Sequence, residues 1–392
     1  MRSEAAAADR RFEVRQAAAA WHRARAVDDA TRQRIEAAYA DDRARLPVVF
    51  RVLVFGFTIL AVSTFLGLFG LVVAVAGQGA SAFLLLAFGV ALAAATEFQT
   101  GRLRRRQGGT EAATAVLAVS YLCTGLVWAA SLVGGVRGDG AFDLGLVVFT
   151  VVGGVAAFRW GYTLFAAAAT AALFVLAART PIGRLLWIAV PLALAPLLAR
   201  AGEAASLAPA HRRSARAMAA VALWFLYLAV HRGSWDVQMV EMISGRHPGR
   251  PEGRALAVLA TVATALLPVL TLAWGVRARR RWLIGLGTLG LLASLVTLRF
   301  YVHVAPLWVV LLLGGGCALA LATALRRCLD AGAGRERGGL TAEPLFGEGE
   351  GRGTLELAVG AATATPEARA AGSPEFQPGG GRFGGGGASG TY

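Results

Sequence analysis

Residues 52–76 read VLVFGFTILAVSTFLGLFGLVVAVA, twenty-five positions without an ionisable side chain. A helix rises 1.5 Å per residue, so about 20 residues cross the roughly 30 Å hydrocarbon core of a bilayer. The run is a membrane span, and it is the first of many. Apolar runs recur at 80–96, 112–136, 142–158, 161–178, 185–199, 217–231, 255–276, 282–298 and 304–325. Hydrophobic residues make up 56% of the 392-residue chain and charged residues 16%, against about 25% charged in ordinary soluble domains. A soluble fold has no interior large enough for that much apolar surface. The expected fold is therefore an all-α polytopic transmembrane bundle of about ten spans. The runs at 142–158, 161–178 and 185–199 are short and barely separated, so eight or nine spans is the alternative count.

All 39 basic residues are arginine, and their placement tests the count independently. With a cytoplasmic N-terminus, 31 arginines fall in inner segments and 8 in outer loops. The positive-inside rule then places both termini in the cytoplasm of a bacterial inner membrane, with the bilayer as the chain's first partner. An odd count would put Arg326 and Arg327 outside. Residues 1–46 are polar, and the first apolar run is too late and too long for a cleavable signal. The formal charge of +15 sits in clusters at span ends, where arginine contacts anionic head groups. That distribution speaks against nucleic acid.

Three parts follow. Residues 1–46 read as a cytoplasmic helical region, 47–327 as the membrane domain, and 328–392 as a Gly/Ala-rich tail. In the first part, Ala5–Arg25 favours helix. Asp28 or Asp29 is placed to cap a second helix through Ile35 and Tyr39. Phe12, Trp21, Val27, Ile35 and Tyr39 suit a helical hairpin leaning on the membrane surface or on a protein partner; a solvated, frayed extension is the equal alternative. The tail buries too little to offset its chain entropy and is expected to be disordered, apart from a short helix over Thr354–Ala362.

Residues 21–31, WHRARAVDDAT, with Ile35 and Tyr39 and the apolar spans after them, resemble an uncharacterised bacterial membrane family, domain of unknown function 2157. The resemblance implies a short helical region ahead of a polytopic membrane body. The ending Phe383-Gly-Gly-Gly-Gly-Ala-Ser-Gly-Thr-Tyr392 is similar to the glycine tails of membrane-anchored TPM-domain proteins, although the TPM domain itself is absent. Neither resemblance supplies catalytic residues.

Composition also excludes chemistry. Without lysine there is no Walker A loop, Schiff base or Ser-x-x-Lys nucleophile, and arginine is no general base. Without asparagine there is no N-glycosylation site. Cys123, Cys317 and Cys328 lack the spacing of a zinc knuckle or disulfide framework. Gly285-Leu-Gly-Thr-Leu-Gly290 fits a dinucleotide fingerprint but lies inside a span, where small residues serve helix packing; Gly67/Gly70, Gly153–Gly154 and Gly314–Gly316 invite the same reading. Gly387-Ala-Ser-Gly390 mimics an intramembrane protease motif in a segment that cannot orient a base. Glu97 lies at the cytoplasmic end of the second span and reads as an anchor paired with Arg102 and Arg104–Arg106. No catalytic residue, cofactor site or metal site is expected.

Two features keep a binding function open. In the outer loop 232–254, Trp235, Met239 and Met242 share one helical face, as in an interfacial anchor. His231, Asp236, Glu241 and His247 in and beside that loop match no metal-ligand spacing. Pro191 and Pro196 interrupt the sixth span and Pro268 lies in the eighth; broken helices at mid-membrane build substrate sites in transporters. Two readings result. One is a non-enzymatic scaffold or accessory subunit working through its cytoplasmic ends. The other is a permease for a neutral or amphipathic molecule, its pocket near Pro191, Pro196 and Pro268 and lined by Tyr121, Thr124, Trp187 or Trp224.

Overall fold

The computed structural model describes residues 3–23, 26–40, 43, 46–74, 77–105, 108–235, 254–278, 280–302, 307–330, 336–337 and 340–341. Two short helices come first, α1 (Ser3–Arg23) and α2 (Asp29–Ala38). Ten more follow: α3 (Val48–Ala74), α4 (Gln78–Gly101), α5 (Thr110–Gly134), α6 (Asp139–Trp160), α7 (Thr163–Ala178), α8 (Gly183–Ala201), α9 (Pro209–Val230), α10 (Arg254–Arg277), α11 (Arg281–Val302) and α12 (Leu307–Asp330). One lies over each apolar run. Eight are long and apolar enough to cross a membrane. Helix α7, with 16 residues, reaches about 24 Å and is the short member.

Burial is inverted relative to a soluble protein. The interior is alanine, with Ala113, Ala115, Ala118, Ala210 and Ala219 fully enclosed, while Phe57, Leu71, Val72, Phe83 and Phe158 stand exposed on the perimeter. Small residues let backbones approach, and large apolar ones face lipid. The chain is a multi-pass integral membrane protein of the all-α class. The described residues also contain a 3₁₀ turn, Arg232–Trp235, and a two-residue antiparallel pairing of Glu336–Arg337 with Leu340–Thr341. Contacts divide the chain near Leu325, where a second unit begins.

Short connections make consecutive helices antiparallel neighbours: α4 pairs with α5, α6 with α7, α8 with α9, and α10 with α11. Helix α9 also packs on α1, α7, α10 and α11, and it is the most buried of the eight spans. Pro191 and Pro196 do not interrupt α8, which runs continuously through both. In hydrocarbon a broken helix exposes backbone groups with no water to satisfy them, so neighbouring packing holds the helix through its prolines.

Asp28 caps α2 as its sequence suggested, its carboxylate accepting the Thr31 N–H at 3.0 Å. Those hydrogen bonds hold the Asp28 carboxyl below its ordinary pKa. Helix α1 rests on the protein's own bundle. Ala5, Ala8, Asp9 and Ala18 are buried, and Glu13 and Asp9 pair with Arg212 and Arg213 at the start of α9. Trp21 and Tyr39 are exposed, so the contact of α1 with the bundle is made by alanine and two carboxylates.

At the opposite end of the bundle, the Tyr227 and Ser294 hydroxyls meet at 2.9 Å, Ser294 donates to the Thr264 carbonyl, and Thr264 Oγ1 accepts the Arg232 N–H. These bonds tie α9, α10 and α11 together beside a 3₁₀ turn, Arg232–Trp235. His231 is buried there, its Nδ1 accepting from the Gly233 N–H. Burial lowers its pKa from 6.5, so the folded state binds fewer protons than the unfolded one near that value. Stability from this residue is complete above about pH 6.5 and falls as pH drops from there toward the lowered folded pKa. Thermal melts should show that decline in the wild type and a weaker one in His231→Gln.

Candidate functional site

The polar side chains of the membrane domain concentrate at the arginine-rich end, where α4 and α6 finish and α5, α7 and α9 begin. Glu97, in the last turns of α4, is held by Arg159 of α6. Nε and Nη2 of the guanidinium reach the two carboxylate oxygens at 2.7 and 2.9 Å, and Trp160 Nε1 donates to one of them at 3.0 Å. The sequence reading had paired Glu97 with nearby arginines in the chain. A bidentate partner comes from two helices further on. Planar guanidinium and carboxylate match in two parallel hydrogen bonds, which suits an anchoring pair at a membrane boundary.

One layer inward, the Thr96 and Thr114 hydroxyls meet at 2.9 Å between α4 and α5. Glu111, in the first turn of α5, is fully buried and accepts the Gly108 N–H at 2.6 Å. A carboxylate at this position meets the positive end of the helix dipole and an otherwise orphaned donor. The tight entry depends on Gly109, whose φ is +100° and whose absent Cβ would lie 2.5 Å from the Arg51 carbonyl. Glu111 was missed in the sequence because it looks like another boundary acid. The detectable signal was an acidic residue just after Gly-Gly-Thr, at the head of an apolar run.

Beside this cluster, α6, α7 and α9 enclose a cleft of about 330 Å³ lined by Gly154, Phe158, Ala169, Thr170, His211 and Ser214 among others. The His211 ring stacks on Phe158 with centroids 5.5 Å apart. A second, apolar groove of about 430 Å³ runs between α3 and α4 along Ala61, Phe65, Phe88 and Leu92.

Neither hollow is lined by the residues expected to form a pocket. Pro191 is fully buried in α8, on a helix that packs against α7 and α9. Pro196 follows on the same helix, and Pro268 lies in α10, against Gly290 of α11. Trp187, four residues before Pro191 on α8, belongs to an aromatic cluster. Trp187 donates from Nε1 to the Phe174 carbonyl at 2.6 Å and meets the Phe225 ring edge-on at 4.8 Å, while Phe174 and Phe225 stack at 4.9 Å. The Tyr121 hydroxyl reaches Ser63 at 3.4 Å, and Trp224 sits against Tyr227. Trp235 ends the 3₁₀ turn; Met239 and Met242, with Asp236, Glu241 and His247, lie outside the described residues, as do His303 and the tail beyond 341. Among the described residues no group of three or more His, Cys, Asp or Glu is placed to hold a metal ion.

No protein-family model, curated protein or solved structure matches this chain.

Proposed function

We propose that this integral membrane protein is a non-enzymatic scaffold or accessory subunit of a bacterial inner membrane. Both termini face the cytoplasm, and partners are recruited through the N-terminal helices and the glycine-rich tail. The observation that carries this reading is the N-terminal region. Helix α1 is clamped to α9 by Glu13–Arg212 and Asp9–Arg213, whereas α2 buries no residue and Trp21 and Tyr39 remain open. A rigidly mounted helix pair with uncovered aromatic side chains suits recognition. Residues 21–39 carry the resemblance to domain of unknown function 2157, in which a short helical region also precedes a polytopic body. The polar groups of the bundle support the reading by pairing across helices.

The test is affinity purification in mild detergent, comparing the full chain with one ending at residue 330 and one lacking residues 1–46. A stoichiometric companion lost with either end is expected. If no companion copurifies with the full chain, the scaffold reading fails, and the permease becomes the reading to pursue through solute binding.

A further inference from the structure

The cleft between α6, α7 and α9 has a shape and a polarity that specify an occupant. Phe158 and Leu173 on its rim are 72% and 47% exposed, so it opens sideways on the bundle, toward lipid. From Phe158 to Thr150 its wall follows eight residues of α6, about 12 Å along the helix axis. Nearly all of that wall is apolar.

One polar atom breaks the pattern. Ser214 lines the cleft and is 6% exposed, and its Oγ has no hydrogen-bond partner. A helical hydroxyl ordinarily returns to the carbonyl four residues back. Thr150 does so with Leu146 and Thr170 with Ala166, both at 2.7 Å and both on the same cleft. Ser214 leaves its donor for something else. It stands five residues past Pro209, the first residue of α9, about 7.5 Å along the helix. Each interfacial zone of a bilayer is about 5–8 Å deep, so with Pro209 at the membrane surface Ser214 comes to the depth of the glycerol esters.

We propose that the cleft holds one acyl chain of a resident phospholipid, whose ester carbonyl accepts from Ser214 Oγ. A carbonyl oxygen supplies the acceptor that Ser214 lacks, and the chain fills the apolar slot. This lipid belongs to the protein and differs from the annular lipids that exchange around its perimeter. The assignment holds whether or not the chain recruits a protein partner.

Gly154 makes the test clean. It lines the cleft, and a Cβ built on it meets nothing within 4 Å, so the side chain of Gly154→Leu starts in open space at the slot. Gly67 on α3 is equally open, and Gly67→Leu is the control. The full-length protein, purified in mild detergent and loaded with palmitoyl-oleoyl phosphatidylglycerol, is read by native mass spectrometry after a delipidating wash. Wild type and Gly67→Leu should keep one phospholipid per chain. Gly154→Leu should lose it, and Ser214→Ala should hold it about tenfold more weakly, as expected for one lost hydrogen bond in a dry site. A phosphatidylglycerol carrying a diazirine on its acyl chain should label peptides within 150–158, 166–173 or 211–218 in the wild type, a readout independent of either variant's folding. A wild type that retains no lipid, equal retention in Gly154→Leu, or labelling confined to other helices would overturn the assignment.

Discussion

Gly287→Ala is expected to lower the stability of the detergent-solubilised protein by about 1–3 kcal/mol, while Gly285→Ala, two residues away on the same helix, raises it slightly. A Cβ at Gly287 would lie 2.7 Å from the backbone nitrogen of Leu272 and 2.8 Å from its Cα, and one at Gly275 on the facing helix would lie 2.8 Å from the Ile284 nitrogen. These are backbone atoms, so neither helix can relieve the clash by rotating a side chain. The α10–α11 hairpin must part by a few tenths of an ångström along its seam, losing dispersion contacts that the bilayer does not replace with a hydrophobic force. Gly285 has open space, and there alanine adds only helix propensity, up to about 1 kcal/mol. The α4–α5 hairpin uses the same device, with Gly89 against Leu122 and Gly125 against Leu86. Thermal melts of Gly285→Ala and Gly287→Ala decide the matter; equal midpoints would show that close approach is not what holds these pairs.

Trp187→Ala carries the second large effect, a loss of about 3 kcal/mol. Removing a buried aromatic from a soluble core costs about 3–5 kcal/mol. Part of that cost is transfer from water, which shrinks in a bilayer because lipid is itself apolar, so the lower end applies. What remains is the void beside Phe225 and the loss of the 2.6 Å hydrogen bond to the Phe174 carbonyl. Trp274→Ala is the matched comparison: Trp274 is 66% exposed on α10 and should change stability little. A Trp187 variant as stable as the Trp274 variant would mean the α7–α8–α9 aromatic cluster is not a structural core, and the pocket near Pro191 would return to consideration.

The membrane spans were legible because the bilayer imposes length and apolarity on any segment that crosses it, and a helix covers each run from 52–76 to 304–325. The Asp28 cap was legible because it is a local hydrogen bond. The same apolarity hides which face of each span meets a neighbour. In lipid, leucine suits either side, so Gly67 and Gly70 looked like packing glycines as much as Gly287 did, yet a Cβ at either meets nothing within 4 Å. Polar partners were hidden by distance along the chain. Glu97 is bound by Arg159, 62 positions away, and α1 finds its carboxylates' partners at Arg212 and Arg213 on the far side of seven helices. The cleft is a product of three helices brought together and has no signature in any one of them.

The most direct test of the ten-span account is a topology map of the full chain. Reporters fused after residues 106, 210 and 330 should signal the cytoplasm, and fusions after 140 and 245 the opposite side. A cytoplasmic signal at 140 or 245, or an external one at 330, would contradict the even count and the orientation from which the proposed recruitment follows.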